Sequence, residues 1–282
     1  MPGLEMVVLV KGVPDFREGK VQFKEDNTLN RGATPTVLNP NDHLALQAAR
    51  EVQVKHGGTV SVLTMGPPNY IKILSEAMET AGDKGYLISD IKFAAADTWA
   101  TAHALMYAMN KIGKPDLVFA GFKSADGETG QTGPQTALVM GFPVVTHTTR
   151  LSVDPKTRTF QTTRLAYDDV EHCEGPLPAF IVTDPGFTPY YGKASERLAL
   201  LDHIQRQKKA VAEAAARTTT WNAEQVNADP NKIGLPGSPT IVRAVDPIPA
   251  APKERTARVF KASDPRAIDE VADIIVARLG AK

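Results

Sequence analysis

The residues best suited to chemistry stand together in one glycine-punctuated stretch, Gly121-Phe-Lys-Ser-Ala-Asp-Gly-Glu-Thr-Gly-Gln-Thr-Gly-Pro134. It follows the strand-like run Asp116-Leu-Val-Phe-Ala-Gly121 and precedes a helix expected to begin near Pro134. Open parallel sheets hold nucleotides in this position, between a strand's carboxyl end and the next helix. Gly127, Gly130 and Gly133 permit tight turns and close approach of the backbone to a ligand. Thr129, Gln131 and Thr132 offer hydroxyl and amide donors, and Pro134 suits a first helical turn, where no N–H is needed. The N–H groups at such a helix start can hold a phosphate. The stretch matches neither G-x-G-x-x-G nor G-x-x-x-x-G-K-[ST]. Its plainer reading is an ordinary strand-to-helix connection, but that needs only about four or five residues.

The other polar side chains form no comparable group. His43, His56, His103, His147, His172 and His203 lack H-x-x-x-H or H-E-x-x-H spacing, so no metal site is expected. Asp168, Asp169 and Glu171 fall in a hairpin-like segment and read as a solvated surface. Cys173, the single cysteine, reads as a small packed side chain and excludes an internal disulfide. No constellation for covalent or hydrolytic catalysis stands out, and no catalytic residue is assigned.

The elements that must position the loop read as an alternation. Met6-Val-Val-Leu-Val10 is a continuous apolar run, as in a strand buried on both faces. Residues 20–38, with Asp26-Asn27 and Arg31-Gly32, read as an antiparallel hairpin excursion. Asn39-Pro-Asn-Asp42 looks like a helix start at which an Asx side chain caps the first N–H groups, and Gly57-Gly58 ends that helix. Thr59–Met65 and Gly85–Ser89 read as strands and 69–81 as a helix. Asp97 caps a further helix carrying Leu105, Met109 and Ile112. Strands separated by helices imply βαβ crossovers and a parallel sheet. Residues 143–184 read as successive strands, and 194–216 as a long amphipathic helix. The segment 218–258 carries Pro230, Pro236, Pro239, Pro247, Pro249 and Pro252 without periodicity, so it reads as an extended arm. A last helix is expected over 264–279. Arm and helix imply docking on another body, with folding back onto the same chain as the alternative.

The expected fold is therefore α/β, with an open, mainly parallel sheet, a hairpin excursion and a C-terminal arm plus helix. The domains are drawn at 1–193 for the α/β body and 194–282 for the long helix, arm and terminal helix. Lys plus Arg and Asp plus Glu both total 32, so the zero formal charge supplies no positive field for nucleic acid. No 18-residue apolar run is present, and Met1–Val10 does not read as a secretory signal, so a cytoplasmic protein is expected.

Four segments carry a resemblance. Val8-Leu-Val-Lys-Gly-Val-Pro-Asp15, Leu38-Asn-Pro-Asn-Asp42, Val62-Leu-Thr-Met-Gly-Pro-Pro68 and Asp126-Gly-Glu-Thr-Gly-Gln-Thr-Gly133 occur in this order in electron transfer flavoprotein beta subunits. The chain resembles that family over residues 6 to about 184, and more weakly in Ile233-Gly-Leu-Pro-Gly-Ser-Pro-Thr240 and the last helix. The resemblance implies a Rossmann-like nucleotide-binding body and a heterodimer with an alpha subunit that holds one FAD, the arm and last helix docking on that subunit. A second adenine nucleotide would lie in this chain, as structural AMP or, in the electron-bifurcating branch, as an FAD reduced by NADH. By position Leu9, Asn39, Pro40, Asn41, Asp42, Met65, Asp126, Gly127, Glu128, Thr129, Gly130, Gln131 and Thr132 match its nucleotide-binding residues.

Asp126-Gly-Glu-Thr and Ala96-Asp-Thr-Trp-Ala-Thr101 resemble the D-G-D-T and A-D-T-x-A-T patterns of the bifurcating branch. The chain departs from many relatives at Phe122-Lys123-Ser124, where Lys123 supplies charge from a shifted position, and at Pro185–Gly192. Electrons would pass through the alpha-subunit FAD to an acceptor such as a quinone reductase, ferredoxin or flavodoxin, one of which would bring the protein to a membrane. A non-bifurcating AMP-binding subunit and a nucleotide-binding sensor without redox chemistry stand as alternatives.

Overall fold

The computed structural model describes residues 3–15, 34–210, 216–241, 260–261 and 264–279. They fall in two units, divided between Val245 and Asp246. The first is built on a nine-stranded sheet. Its central strands are the apolar runs of the sequence, β1 (Glu5–Leu9), β4 (Thr59–Met65), β5 (Lys84–Ile88) and β6 (Leu117–Gly121). Strand β10 (Ala179–Thr183) lies beyond β6. Two short strands, β2 (Gly12–Pro14) and β3 (Thr36–Leu38), pair antiparallel in a separate sheet. They form the base of the expected excursion, whose turns at 26–27 and 31–32 lie outside the described residues.

Apolar residues run unbroken along the central strands because both faces are covered. Met6 and Val8 of β1, Phe119 of β6 and Ile181 of β10 join one core with Leu46 and Val52 of α1 (Pro40–His56) and Leu74 and Met78 of α2 (Ile71–Thr80). Val7, Leu9, Val118 and Phe180 point the other way. They meet Leu105 and Met109 of α3 (Thr98–Ile112) and Ala137 of α4 (Thr132–Met140). The alternation of side chains along a strand thus divides the interior into two layers.

The chain order fixes where a ligand can enter. From β1 the chain passes through α1 to β4, then through α2 to β5, moving steadily outward on one side. Helix α3 carries it back past β1 to β6 on the other side. All neighbouring pairs from β5 to β10 are parallel, so the carboxyl ends of β1 and β6 part around a switch-point crevice. The α/β, mainly parallel, Rossmann-like fold expected from the sequence is the fold observed.

Beyond β10 the sheet continues with β7 (Val144–Asp154), parallel to it, and then turns antiparallel through β8 (Thr159–Ala166) and β9 (Asp169–Pro176). Phe160 and Thr162 face the core, with Cys173 partly buried against it, while Asp168, Asp169 and Glu171 are exposed. Helix α5 (Ala194–Ala210) follows. The described start of the proline-rich segment is not detached. Residues Thr218–Trp221 form β11, which extends the sheet beside β5, and Trp221 stacks on Tyr86 at 4.9 Å between ring centroids. Ala223, Val226 and Ile233 are buried in the α3 layer, so folding back describes residues 218–241. Residues 242–259 lie outside the described part. In the second unit α6 (Ala267–Leu279) exposes Ile268, Ile275, Val276 and Leu279.

One close approach decides the geometry of the crevice. A Cβ at Gly121 would lie 2.5 Å from Asp42 Oδ1 and 2.6 Å from the carbonyl carbon of Asn41. Backbone cannot yield as a flexible side chain does. Gly121→Ala should therefore force β6 away from the start of α1 and lower stability by roughly 1–3 kcal/mol, as overpacking of a tight contact does. A urea-unfolding midpoint unchanged from the parent chain would contradict the contact.

Candidate functional site

The crevice is built from the start of α1 upward. Asn39 holds the N-cap position, but its side chain does not cap the helix as the sequence suggests. Its amide donates instead to Asp42 Oδ1 at 2.8 Å and to the Lys123 carbonyl at 3.0 Å, and its Oδ1 accepts from the Ala125 N–H at 3.2 Å. Asn41 donates to the same Lys123 carbonyl at 2.8 Å. Two asparagines thus bind the first half of the 121–134 loop to α1. A competing acceptor close by outweighed local capping.

Asp42 sits beneath this arrangement, buried, and collects donors from three elements. The Lys11 N–H donates to Oδ2 at 2.8 Å, Asn39 to Oδ1, and the Gly121 N–H also reaches the carboxyl. Burial is the largest influence on it and pushes its pKa from 3.8 up to about 7, against these hydrogen bonds and the Lys11 charge, which favour the ionised form. On its other side the Lys11 carbonyl accepts from the Asn39 N–H at 2.9 Å. The Lys11 ammonium reaches across to Asp126, at 2.7 and 3.0 Å from its two oxygens, and lies 3.3 Å from Ser124 Oγ.

The second half of the loop is held differently. Gly130 has φ 64 and Gln131 follows at φ −95, ψ −28, a left-then-right pair of the kind that can form an anion-binding nest. Glu128, not Gly127, is the other left-handed residue, at φ 52. No side chain caps α4. Gly133 lets α4 approach the sheet, a Cβ there standing 3.2 Å from Val182 Cγ2. Around the rim Lys123 lies 3.4 Å from Glu128, and Thr98 Oγ1 donates to Gln131 Oε1 at 3.3 Å. That bond brings the 96–101 segment alongside the loop. Asp97 caps α3 through the Trp99 and Ala100 N–H groups and also accepts from the Thr240 N–H and hydroxyl. Burial opposes its charge, but those bonds together hold its carboxyl below the usual range.

Asn39, Asn41, Asp42, Lys123, Ser124 and Asp126 are therefore joined in one network, with Pro40 opening α1. Leu9 lies at the end of β1, paired with Leu63 and Ala120, and Met65 at the end of β4. Thr129 makes no interaction that further defines its role. Lys11 was not among the expected site residues. Its place two residues past β1, where the ends of a parallel sheet hold ligands, was the signal for it.

A match to the electron transfer flavoprotein domain spans residues 26–223. The chain belongs to the electron transfer flavoprotein family, as a subunit of the beta type. It is 34% identical to protein FixA of Azorhizobium caulinodans over 284 residues, covering 98% of this chain and 94% of that one. It is 34% identical to CarD of the caffeyl-CoA reductase–Etf complex of Acetobacterium woodii, covering 85% of this chain and 86% of that one. It is 31% identical to the electron transfer flavoprotein beta subunit of Thermoanaerobacterium thermosaccharolyticum, covering 99% of each. The donors gathered in this flavoprotein subunit, two lysines, hydroxyls, a left–right backbone pair and an uncapped helix start, suit a phosphorylated nucleotide.

The buried carboxyl gives a test by pH. In the folded chain Asp42 keeps its proton up to about pH 7, whereas an unfolded Asp releases it near the ordinary value of 3.8. The folded state then binds more protons between those values, so the Asp42 contribution to stability falls as pH rises from about 4 to 7. Asp42→Asn removes the titration. The stability of the parent relative to this variant should fall across that window, by at most about 1.4 kcal/mol per pH unit. Urea unfolding at a series of pH values measures it, and a flat difference would contradict the buried, protonating carboxyl.

Proposed function

We propose that this subunit holds FAD in the switch-point crevice and works as half of a heterodimer with an alpha subunit. NADH is the donor, and electrons leave through the alpha-subunit FAD in bifurcating transfer to an acceptor such as a quinone reductase, ferredoxin or flavodoxin. The exposed apolar residues of α6 supply a surface for the alpha subunit to cover. The Acetobacterium relative is by name part of a reductase–Etf complex, in keeping with a place inside a larger redox assembly.

Gly127 is the observation that favours FAD over AMP. Its φ is not left-handed, and a Cβ there would meet nothing nearer than Ser124 Oγ at 3.6 Å. Neither backbone conformation nor packing requires glycine, so what its missing side chain provides is room beside the nest. A pyrophosphate running on toward a flavin needs that room, and a nucleoside monophosphate does not. When bound, FAD would supply the redox chemistry. The chain's own residues position it: Gly130, Gln131 and the start of α4 toward the phosphates, Lys11 and Lys123 with positive charge, and Met65 and Leu9 at neighbouring strand ends. No general base is required of the chain, because hydride passes directly between cofactors and the protein supplies position and electrostatics.

Nucleotides extracted from the purified heterodimer should comprise two FAD, and anaerobic NADH should bleach the flavin absorbance. One FAD plus one AMP, with no response to NADH, would replace this reading with that of a non-bifurcating carrier. Gly127→Val should leave the melting temperature of the heterodimer stripped of nucleotide within a few degrees of the parent, since the site is open and φ is ordinary. It should nevertheless drop FAD content from two toward one. Retention of both flavins would show that the space beside Gly127 is not used.

A further inference from the structure

We propose that Tyr70 is a positioning residue for the nucleoside end of the ligand: its ring fixes the spacing of the turns that follow β1 and β4, and that spacing decides how well the base is held. The inference rests on the crevice being the nucleotide site, but not on whether AMP or FAD occupies it.

Tyr70 ends a short 3₁₀ turn, Pro68–Tyr70, and is 5% exposed, so it does not itself reach a ligand in the crevice. Its ring folds back on the turn that it follows. A Cβ built at Gly66 would fall against Cδ2 and Cε2 of that ring. One built at Gly12 would lie 2.7 Å from its Cζ, and 2.8 Å from Thr36 Cγ2. The Tyr70 hydroxyl donates to the Gly12 carbonyl at 3.0 Å. Neither glycine has a left-handed φ, so occupied space, and not backbone freedom, excludes a side chain at both. One aromatic ring thus abuts both turns where side chains would otherwise stand.

Both turns are also held on their far sides. The Lys11 N–H donates to Asp42 and its carbonyl accepts from Asn39, while the Gly66 N–H donates to the Ile88 carbonyl at 3.1 Å. The ring therefore completes a brace that runs from the switch point to the end of β5. The phosphate donors stand at the opposite flank. There the start of α4 lies against β10, a Cβ at Gly133 standing 3.2 Å from Val182 Cγ2. Toward β7 the edge is filled by the Phe122 and His147 rings, 4.8 Å apart between centroids. A nucleotide whose phosphates meet Gly130, Gln131 and the start of α4 thus has its open direction toward Leu9 and Met65, the last residues of β1 and β4. Adjacent strand ends are about 5 Å apart, so a base laid there meets both turns.

The test uses the full-length subunit in its heterodimer, stripped of nucleotide, as parent, Tyr70→Leu and Tyr70→Phe. Each is titrated calorimetrically with AMP, with FAD and with ribose 5-phosphate, which carries phosphate and sugar but no base. Tyr70→Leu should weaken AMP and FAD alike, roughly tenfold, the cost of ordering about one residue of a loosened turn on binding. Ribose 5-phosphate should bind the parent and Tyr70→Leu equally well, since it never reaches the braced turns. Tyr70→Phe keeps the ring and should retain most of the preference for AMP over ribose 5-phosphate. If all three ligands weaken together, in step with a lowered melting temperature, Tyr70 is ordinary core packing and the inference fails. It fails too if FAD alone weakens, because the braced flank then receives the flavin and not the nucleoside. The nucleotides extracted from the parent decide separately between FAD and AMP, so a failure of the FAD reading is not mistaken for a failure of the brace.

Discussion

Everything around the crevice depends on one buried carboxyl group. Asp42 lies at the point where the sheet reverses direction, and it takes hydrogen from the end of β1, the start of α1 and the end of β6. A carboxyl buried this deeply is costly unless donors surround it, and those donors exist only if the three elements converge. The requirement runs in both directions. Convergence demands that Gly121 lack a side chain, because a Cβ there would meet Asp42 and the Asn41 backbone.

That constraint explains why glycines in the loop are not equivalent. Gly121 and Gly133 are required by neighbours, the first by α1 and the second by β10. Gly130 is required by its own left-handed backbone, which other residues adopt at a cost of roughly 1–2 kcal/mol. Gly127 is required by neither. A motif read as a row of interchangeable flexible residues separates, in three dimensions, into two packing positions, one conformational position and one opening. Glu128 takes the remaining left-handed turn, which a pattern of glycines cannot reveal.

The parallel core was legible because burial on both faces writes itself as unbroken runs such as Met6–Val10 and Leu117–Ala120. The helix ends were legible where a single residue dominates, as with Asp97 and Gly57. The segment 218–241 was not, because it is held by scattered residues and not by a repeat. Ala223, Val226 and Ile233 fill gaps in the α3 layer, while Asp90 receives the Ala223 N–H and Asp97 receives Thr240. Such ties pair residues more than 130 positions apart and leave no local period to read. Asn39 was misjudged for a related reason. Its local chemistry favours a cap, and only the arrival of the Lys123 carbonyl and Asp42 turns it away. Lys11 stands in the Val8–Asp15 segment that carries the resemblance, but its own role is read from topology.

The distribution of charge in the site follows from the same geometry. Of its two lysines, Lys11 pairs with a withdrawn carboxylate, while Lys123 lies over the Phe122 ring and pairs with Glu128, whose side chain is 62% exposed. An exposed pair is worth little and yields readily to a better partner. The two lysines thus differ in how firmly their present partners hold them. Positive charge near the ligand can be supplied without disturbing the ties that shape the loop. At Lys123 backbone and side chain serve different ends, the carbonyl bound to Asn39 and Asn41 while the ammonium reaches Glu128 on the far half of the loop.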